Sequence, residues 1–286
     1  MKIHTIDTGY FKLDGGAMFG VVPRRLWQRL HAPDENNMCT LSMRCLLIEM
    51  GDRKILIDTG IGDKQDAKFR SHFEPHGAAN LLASLKQKGV QSDDITDVLL
   101  THFHFDHAGG AVSYNADGDL VPTFSKAIYW TNQQHYDWAI NPNTREKASF
   151  LKENFVPLQE QGVLRMIPTP NEIINWLPGI DLHLLYGHTE AMMMPVLTKN
   201  GKKIYYGVDL LPTSFHVSMP FVMSYDVRPL KTLEEKKVLY QQIVDNLDAA
   251  VVFEHDPKVE AATLIRNEKG RVVIGAVVDP TSFLSD

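Results

Sequence analysis

The sequence predicts a mixed α/β sandwich whose strand ends carry the functional side chains. Three observations predict it. A β-hairpin, a helical stretch and a further strand follow one another between Arg44 and Leu100, which is how a layered α/β arrangement opens. The segment Thr101-His-Phe-His-Phe-Asp-His-Ala-Gly-Gly110 places three imidazoles and a carboxylate in six positions, directly after the apolar run Val98-Leu99-Leu100. Three later apolar runs of strand length each end in a further histidine or aspartate.

Composition narrows the class. The chain has 286 residues, 44% hydrophobic and 22% charged, which is ordinary for a globular protein. It shows no internal repeat or shift in composition, so we expect one domain over residues 1–286. A net charge of -6 argues against a nucleic-acid partner held by a basic surface. No apolar run approaches the ~18 residues of a spanning helix, so no membrane partner is expected. Residues Met1 to Gly9 alternate apolar and polar as a strand does, unlike a secretion signal. The two cysteines, Cys39 and Cys45, read as ordinary thiols in a reduced, cytoplasmic setting.

In chain order, the strand Ile3–Thr8 leads into Asp14-Gly-Gly-Ala-Met-Phe-Gly-Val-Val-Pro23, where glycines and a proline argue for a loop. Met18, Phe19 and Val22 make it apolar, so it either packs beneath the body or walls a pocket; we take the pocket wall. The hairpin Arg44–Met50/Lys54–Ile57 turns at Gly51-Asp52-Arg53 and ends in Asp58-Thr59-Gly60. Asp58 either caps a turn or accepts a hydrogen bond that orients a metal-bound histidine. A helix is expected over Gly77–Lys88 and a strand over Asp97–Leu100, followed by the histidine-rich segment. Further on, a strand is expected over Lys126–Trp130, a helix over Thr131–Ala139 capped by Thr131, and a helix over Thr144–Asn154. His135, alone in its helix, reads as a packing or surface residue. Pro157–Pro178 reads as a connector with one strand, Val163–Ile167.

The remaining strands are Leu182–Tyr186, Lys203–Tyr206 and Ala249–Phe253, followed respectively by His188, Asp209 and His255. An amphipathic helix over Leu233–Leu247 and a closing hairpin, Ala262–Arg266/Val272–Val278, complete the reading.

Neutral imidazole and carboxylate suit zinc and its first-row neighbours. In an extended segment His102 and His104 point the same way. His102, His104 and His188 therefore form one candidate set. Asp106, His107 and His255 form another, and Asp209 can bridge them. Two ions ~3.5–4 Å apart would ionise a shared water near neutral pH, a nucleophile that needs no serine or cysteine.

These residues, with Asp58-Thr59-Gly60, resemble the metal-site signature of the metallo-β-lactamase superfamily. The resemblance implies a four-layer αββα sandwich with two zinc ions at one edge. Within the superfamily, residues Asp14–Pro23 and Asp209-Leu-Leu-Pro-Thr213 are similar to the YtnP-like quorum-quenching lactonases, relatives of the N-acyl-homoserine lactonases. That implies a hydrolase opening a lactone ester, with Asp106 shuttling a proton to the departing alkoxide and Asp209 at the bridge. The alternative is a broader esterase or organophosphate hydrolase of the same fold. A small-molecule lactone or ester is the expected partner, and homodimers are common in the group. One departure stands out: the best-known lactonases place a tyrosine three residues after the bridging aspartate, where this chain has Pro212. Tyr225 and His216 are the candidates to reach that place, against the plainer reading of both as ordinary loop residues.

Overall fold

A computed structural model of the protein describes residues 1–285. The chain forms two compact units, Met1–Tyr10 with Met43–Pro170, and Phe11–Ser42 with the chain from Asn171 onward. Its strands are β1 (Lys2–Asp14), β2 (Met38–Met50), β3 (Arg53–Ile57), β4 (Asp97–Leu99), β5 (Val112–Tyr114), β6 (Leu120–Pro122), β7 (Ile128–Asn132) and β8 (Leu164–Ile167). They continue as β9 (Ile173–Leu177), β10 (Ile180–Leu185), β11 (Met192–Lys199), β12 (Lys202–Tyr206), β13 (Ala249–Val252), β14 (Ala261–Arg266) and β15 (Val272–Val278).

One sheet has the order β1-β2-β3-β4-β7-β8, and β5 pairs with β6 in a small separate ribbon. β2 and β3 are antiparallel, with Leu46 opposite Ile57. β3, β4, β7 and β8 then run parallel. Parallel strands covered on both faces become continuous apolar runs, and Ile55–Ile57 and Val98–Leu100 are fully buried. The core of the first unit joins Leu47, Leu56 and Val98 to Phe103, Tyr129 and Phe155. Phe103 and Phe155 stack with ring centroids 4.5 Å apart.

The other sheet has the order β15-β14-β13-β12-β11-β10-β9. β10 and β12 are both antiparallel to β11, and β13 is parallel to β12. β10, β12 and β13 therefore all run the same way, and their C-terminal ends meet one edge of the sheet. Connecting parallel neighbours requires a crossover, supplied between β12 and β13 by the helix Pro229–Ile243.

Several elements differ from the sequence reading. Gly15–Phe19 is a helical turn capped by the Asp14 side chain, so the apolar segment is not an irregular loop. No α-helix covers Thr144–Asn154: Asn143 accepts the amides of Arg145 and Glu146 in a turn, and only Lys152–Asn154 forms a 3-10 turn. The helix expected from Thr131 is Gln133–Ile140, and its cap is Asn132. The helix expected at Leu233–Leu247 starts earlier, with Pro229 in its first turn, where a missing N–H costs nothing. β9 and β11 were not foreseen. Met192–Met194 has no alternation, and Pro195 argues against a central strand. Here Pro195 pairs with Leu182 of β10 just before the ladder to β12 begins at Val196, so its missing N–H removes no bond to β12. Among the described residues no helix is long and apolar enough to cross a membrane.

Candidate functional site

In the first unit the histidine-rich segment begins where β4 ends. Leu100 still donates to the Trp130 carbonyl, while the amide and hydroxyl of Thr101 donate to Asp58 Oδ1 and Oδ2, at 2.8 and 2.7 Å. His102 to His104 remain extended, and His104 is the N-cap of a helical turn over Phe105–Ala108. This extended stretch followed by a turn gathers the imidazoles. The His102 ring lies 4.6 Å from that of His104 and 4.0 Å from that of His107. Asp106 Oδ2 is 3.8 Å from His107 Nε2. All four side chains are buried.

Asp58 is held at a φ of 58°, a strained left-handed conformation for a residue with a side chain. Its amide donates to the Leu99 carbonyl, and its carboxylate also faces His107 Nδ1 at 3.2 Å. Burial raises the affinity of Asp58 for a proton, and the hydrogen bonds from His107 and Thr101 oppose it. The next residue, Thr59, grips the His107 carbonyl with its amide and its hydroxyl. Gly109 and Gly110 are required by close approach: a Cβ on Gly109 would lie 2.0 Å from the Ile61 carbonyl oxygen, and one on Gly110 2.3 Å from that of Thr59.

Two residues in this unit have roles that their sequence positions did not announce. His135, fully buried, accepts the amide of Phe103 on Nε2 at 2.8 Å, between the two extended histidines. Glu146, buried in the stretch expected to be helical, lies 3.6 Å from His104 Nε2 and accepts from the Trp138 indole.

In the second unit three strand ends supply the donors. His188 follows β10, Asp209 lies in a 3-10 turn after β12, and His255 follows β13. Asp209 Oδ2 is 3.0 Å from His188 Nε2, and Asp209 Oδ1 is 3.1 Å from His255 Nε2. The far nitrogens are also engaged. His255 Nδ1 donates to the Ser42 carbonyl at 2.8 Å, and a carbonyl can only accept, so Nε2 turns a lone pair toward Asp209. His188 Nδ1 pairs with Asp226 Oδ1 at 2.9 Å. Burial alone would lower the His188 pKa, but Asp209 and Asp226 outweigh it and raise it to about 10. A proton and a cation thus compete for one nitrogen. This donor set suits a metal: two imidazoles present Nε2 to the two oxygens of one carboxylate, each fixed from behind by a carboxylate or carbonyl. Asp226 and Ser42 lie in no motif, and only the fold reveals their part.

The candidate substrate-binding residues are placed differently. Met18 and Phe19 are buried inside the second unit. Phe19 stacks on Trp27 and on His216, with centroids 5.0 and 5.3 Å apart. His216 donates from Nε2 to the Met18 carbonyl at 2.9 Å, which leaves Nδ1 to accept the Thr213 hydroxyl at 2.7 Å. Burial pulls the His216 pKa down to about 3, so the ring is neutral. Met18, Phe19 and His216 are therefore committed to one another, Val22 is buried, and Tyr225 is half-buried. The apolar surface beside the histidine segment comes from elsewhere in the first unit. The helix Ala67–Phe73 buries none of its residues, yet Phe69 and Phe73 pack on Phe105 with centroids 5.1 and 4.4 Å apart. Cys39 and Cys45 are both buried, and burial pushes the Cys39 thiol up to about 12.

Comparison with known proteins agrees with this fold. Residues 44–117 match the metallo-β-lactamase superfamily profile. The N-acyl homoserine lactonase AiiA of Bacillus thuringiensis subsp. kurstaki is 22% identical over 239 residues, 78% of this chain and 84% of that protein. Among solved structures, a probable metal-dependent hydrolase from Staphylococcus aureus superposes with a TM-score of 0.82 at 27% identity, covering 97% of this chain and 98% of its own. AidC, a dizinc quorum-quenching lactonase, superposes with a TM-score of 0.75 at 19% identity, covering 97% and 95%. The mixed α/β architecture is thus the one these structures share.

Proposed function

We propose that this chain, which carries a metallo-β-lactamase superfamily domain, is a metal-dependent hydrolase that opens a lactone ester, with an N-acyl homoserine lactone as substrate. Residues 1–286 act as one functional domain in this reading. His102, His104 and His188 hold one divalent ion, Asp106, His107 and His255 hold a second, and Asp209 serves both. Zinc suits these donors. When bound, such ions supply Lewis acidity and bring the ionisation of water near neutral pH.

The chain's own residues set the stage for that chemistry. Asp58, Asp226 and the Ser42 carbonyl engage the far nitrogens of His107, His188 and His255, which orients each ring and fixes its tautomer. Asp106 carries the proton that the departing ring oxygen takes up. The acyl chain lies against Phe69, Phe73 and Phe105, because Met18 and Phe19 are spent on packing.

The observation that carries this reading is Asp209, whose two oxygens meet two imidazole Nε2 atoms at 3.0 and 3.1 Å. Without a cation or a proton between them, lone pairs would face lone pairs in a buried place, which is costly. The relatives support the substrate class: AiiA is an N-acyl homoserine lactonase by name, and AidC is described as dizinc with N-hexanoyl-L-homoserine bound. The test is acid release from a panel of acyl homoserine lactones, aryl esters and phosphotriesters by the zinc-loaded protein. Fastest turnover on the lactones is expected. Turnover confined to aryl esters or phosphotriesters, or none at all, overturns the substrate.

A further inference from the structure

The helix Pro229–Ile243 has an unusual buried face. A helix covering a sheet normally turns an apolar stripe inward, but here Thr232, Glu235, Lys236 and Tyr240 are buried alongside Leu239 and Ile243. Each of these polar side chains bonds to a loop of the second unit. Lys236 Nζ donates to the carbonyls of His216, Ser218 and Phe221 at 2.6, 2.9 and 3.1 Å. Glu235 accepts the amides of Tyr186 and Gly187 at 2.7 and 3.2 Å. Thr232 Oγ1 donates to Asp226 Oδ2 at 2.7 Å, and its next acceptor, the Arg228 carbonyl, is at 3.5 Å.

We propose that Thr232 is a positioning residue for His188, acting through Asp226. The inference rests on the reading of His188 as a metal ligand. A hydroxyl has one proton to give, and the short contact assigns it to Asp226. That fixes the carboxylate plane, so that Oδ1 meets His188 Nδ1 at 2.9 Å. The backbone is held just as closely: Val227 and Arg228 donate to the carbonyls of His188 and Gly187. A Cβ on Gly187 would lie 2.3 Å from Thr232 Oγ1, so the turn rests directly on the helix. A line of close polar contacts thus runs from Thr232 through Asp226, His188, Asp209 and His255 to Ser42, and its first member is far from any motif.

Replacing Thr232 by valine keeps the shape and removes the donor, leaving Asp226 Oδ2 buried with one partner fewer. The experiment compares T232V, T232S and H188A with the wild type by zinc competition against a chelator. It also follows the downfield ring N–H proton signal of His188 in the metal-free protein. T232V should bind zinc ~10-fold or more weakly and shift or broaden the ring signal, and T232S should restore both. Wild-type affinity and an unmoved signal in folded T232V would overturn the proposal. If T232V does not fold, D226N serves in its place, with loss of the affinity expected and its retention fatal to the idea. H188A separates the two levels: zinc affinity equal to the wild type would remove His188 from the ligand set, while the ring signal still decides whether Thr232 positions it.

Discussion

The two units build their donor sets in opposite ways. In the first, four candidate ligands come from six consecutive residues, and local backbone geometry alone brings them together. In the second, three candidate ligands more than twenty residues apart meet because β10, β12 and β13 run in one direction and end at one edge. Local geometry can be read from residue order, whereas convergence of strand ends depends on sheet order, which no single residue announces. The difference also sets what holds each half in place. The first leans on one carboxylate, Asp58, and the second on a helix that buries Thr232, Glu235 and Lys236 beside its apolar residues.

Breaking each half at its centre should give the largest effects. D209A removes the group that meets two imidazoles and should lower kcat/KM at least ~100-fold, because several kcal/mol of charge stabilisation go with the ions. H104A, which removes one donor, should cost less zinc than D209A when metal is measured by elemental analysis. Equal zinc content in the two variants would mean that Asp209 has no special place. D58N is the matching break in the first unit. The amide presents a donor where Asp58 receives three, so we expect a loss of about 1–3 kcal/mol in urea unfolding together with weaker zinc binding. An unchanged midpoint would show that Asp58 orients nothing.

The comparison is sharpened by pH, since only the second half leans on Glu235 and Lys236. Burial raises the Glu235 carboxyl from 4.5 to about 7. The folded state therefore holds a proton that the unfolded chain releases. This contribution is complete below pH 4.5 and disappears as the pH rises through 7. Between about pH 5 and about pH 8 the wild type should lose up to ~3 kcal/mol more stability than E235Q. Parallel curves would remove Glu235 from the pH response. Lys236 works in the other direction: burial draws it down to about 7 from 10.5, so its contribution declines as the pH falls toward 7. The smallest effect concerns the substrate wall. F73A should raise KM for long-chain lactones by ~10-fold, about the worth of part of an aromatic contact, while zinc content stays unchanged. Equal KM across chain lengths would move the acyl chain elsewhere.

Much of this was legible in the sequence, and for identifiable reasons. The run from His102 to His107 carries its geometry in its spacing, and the strand before it is unmistakably apolar. His188, Asp209 and His255 could be singled out because each ends a strand-like run. Asp226, Ser42, Glu146 and His135 could not, because each acts through a contact formed only in the fold. The stretch Thr144–Asn154 misled because mixed charge at helical spacing looked like a solvated helix, while Asn143 and buried Glu146 instead build a turn. The segment around Met18 is apolar and its Phe19 packs on Trp27 and His216, a use that residue order alone does not distinguish from a pocket wall.

The pairing of Met18 with His216 also sets the order in which the chain can be completed. The second unit needs Phe11–Ser42 together with everything from Asn171 onward, and Met43–Pro170 must be synthesised in between. At about 5–20 residues per second, the early segment waits roughly 9–35 s on the ribosome before Phe215, His216 and Phe221 emerge. Throughout that interval Phe19 and Trp27 have each other but lack Phe215, His216 and Phe221. The segment Phe11–Ser42 therefore carries apolar side chains that stay without part of their packing until late in synthesis.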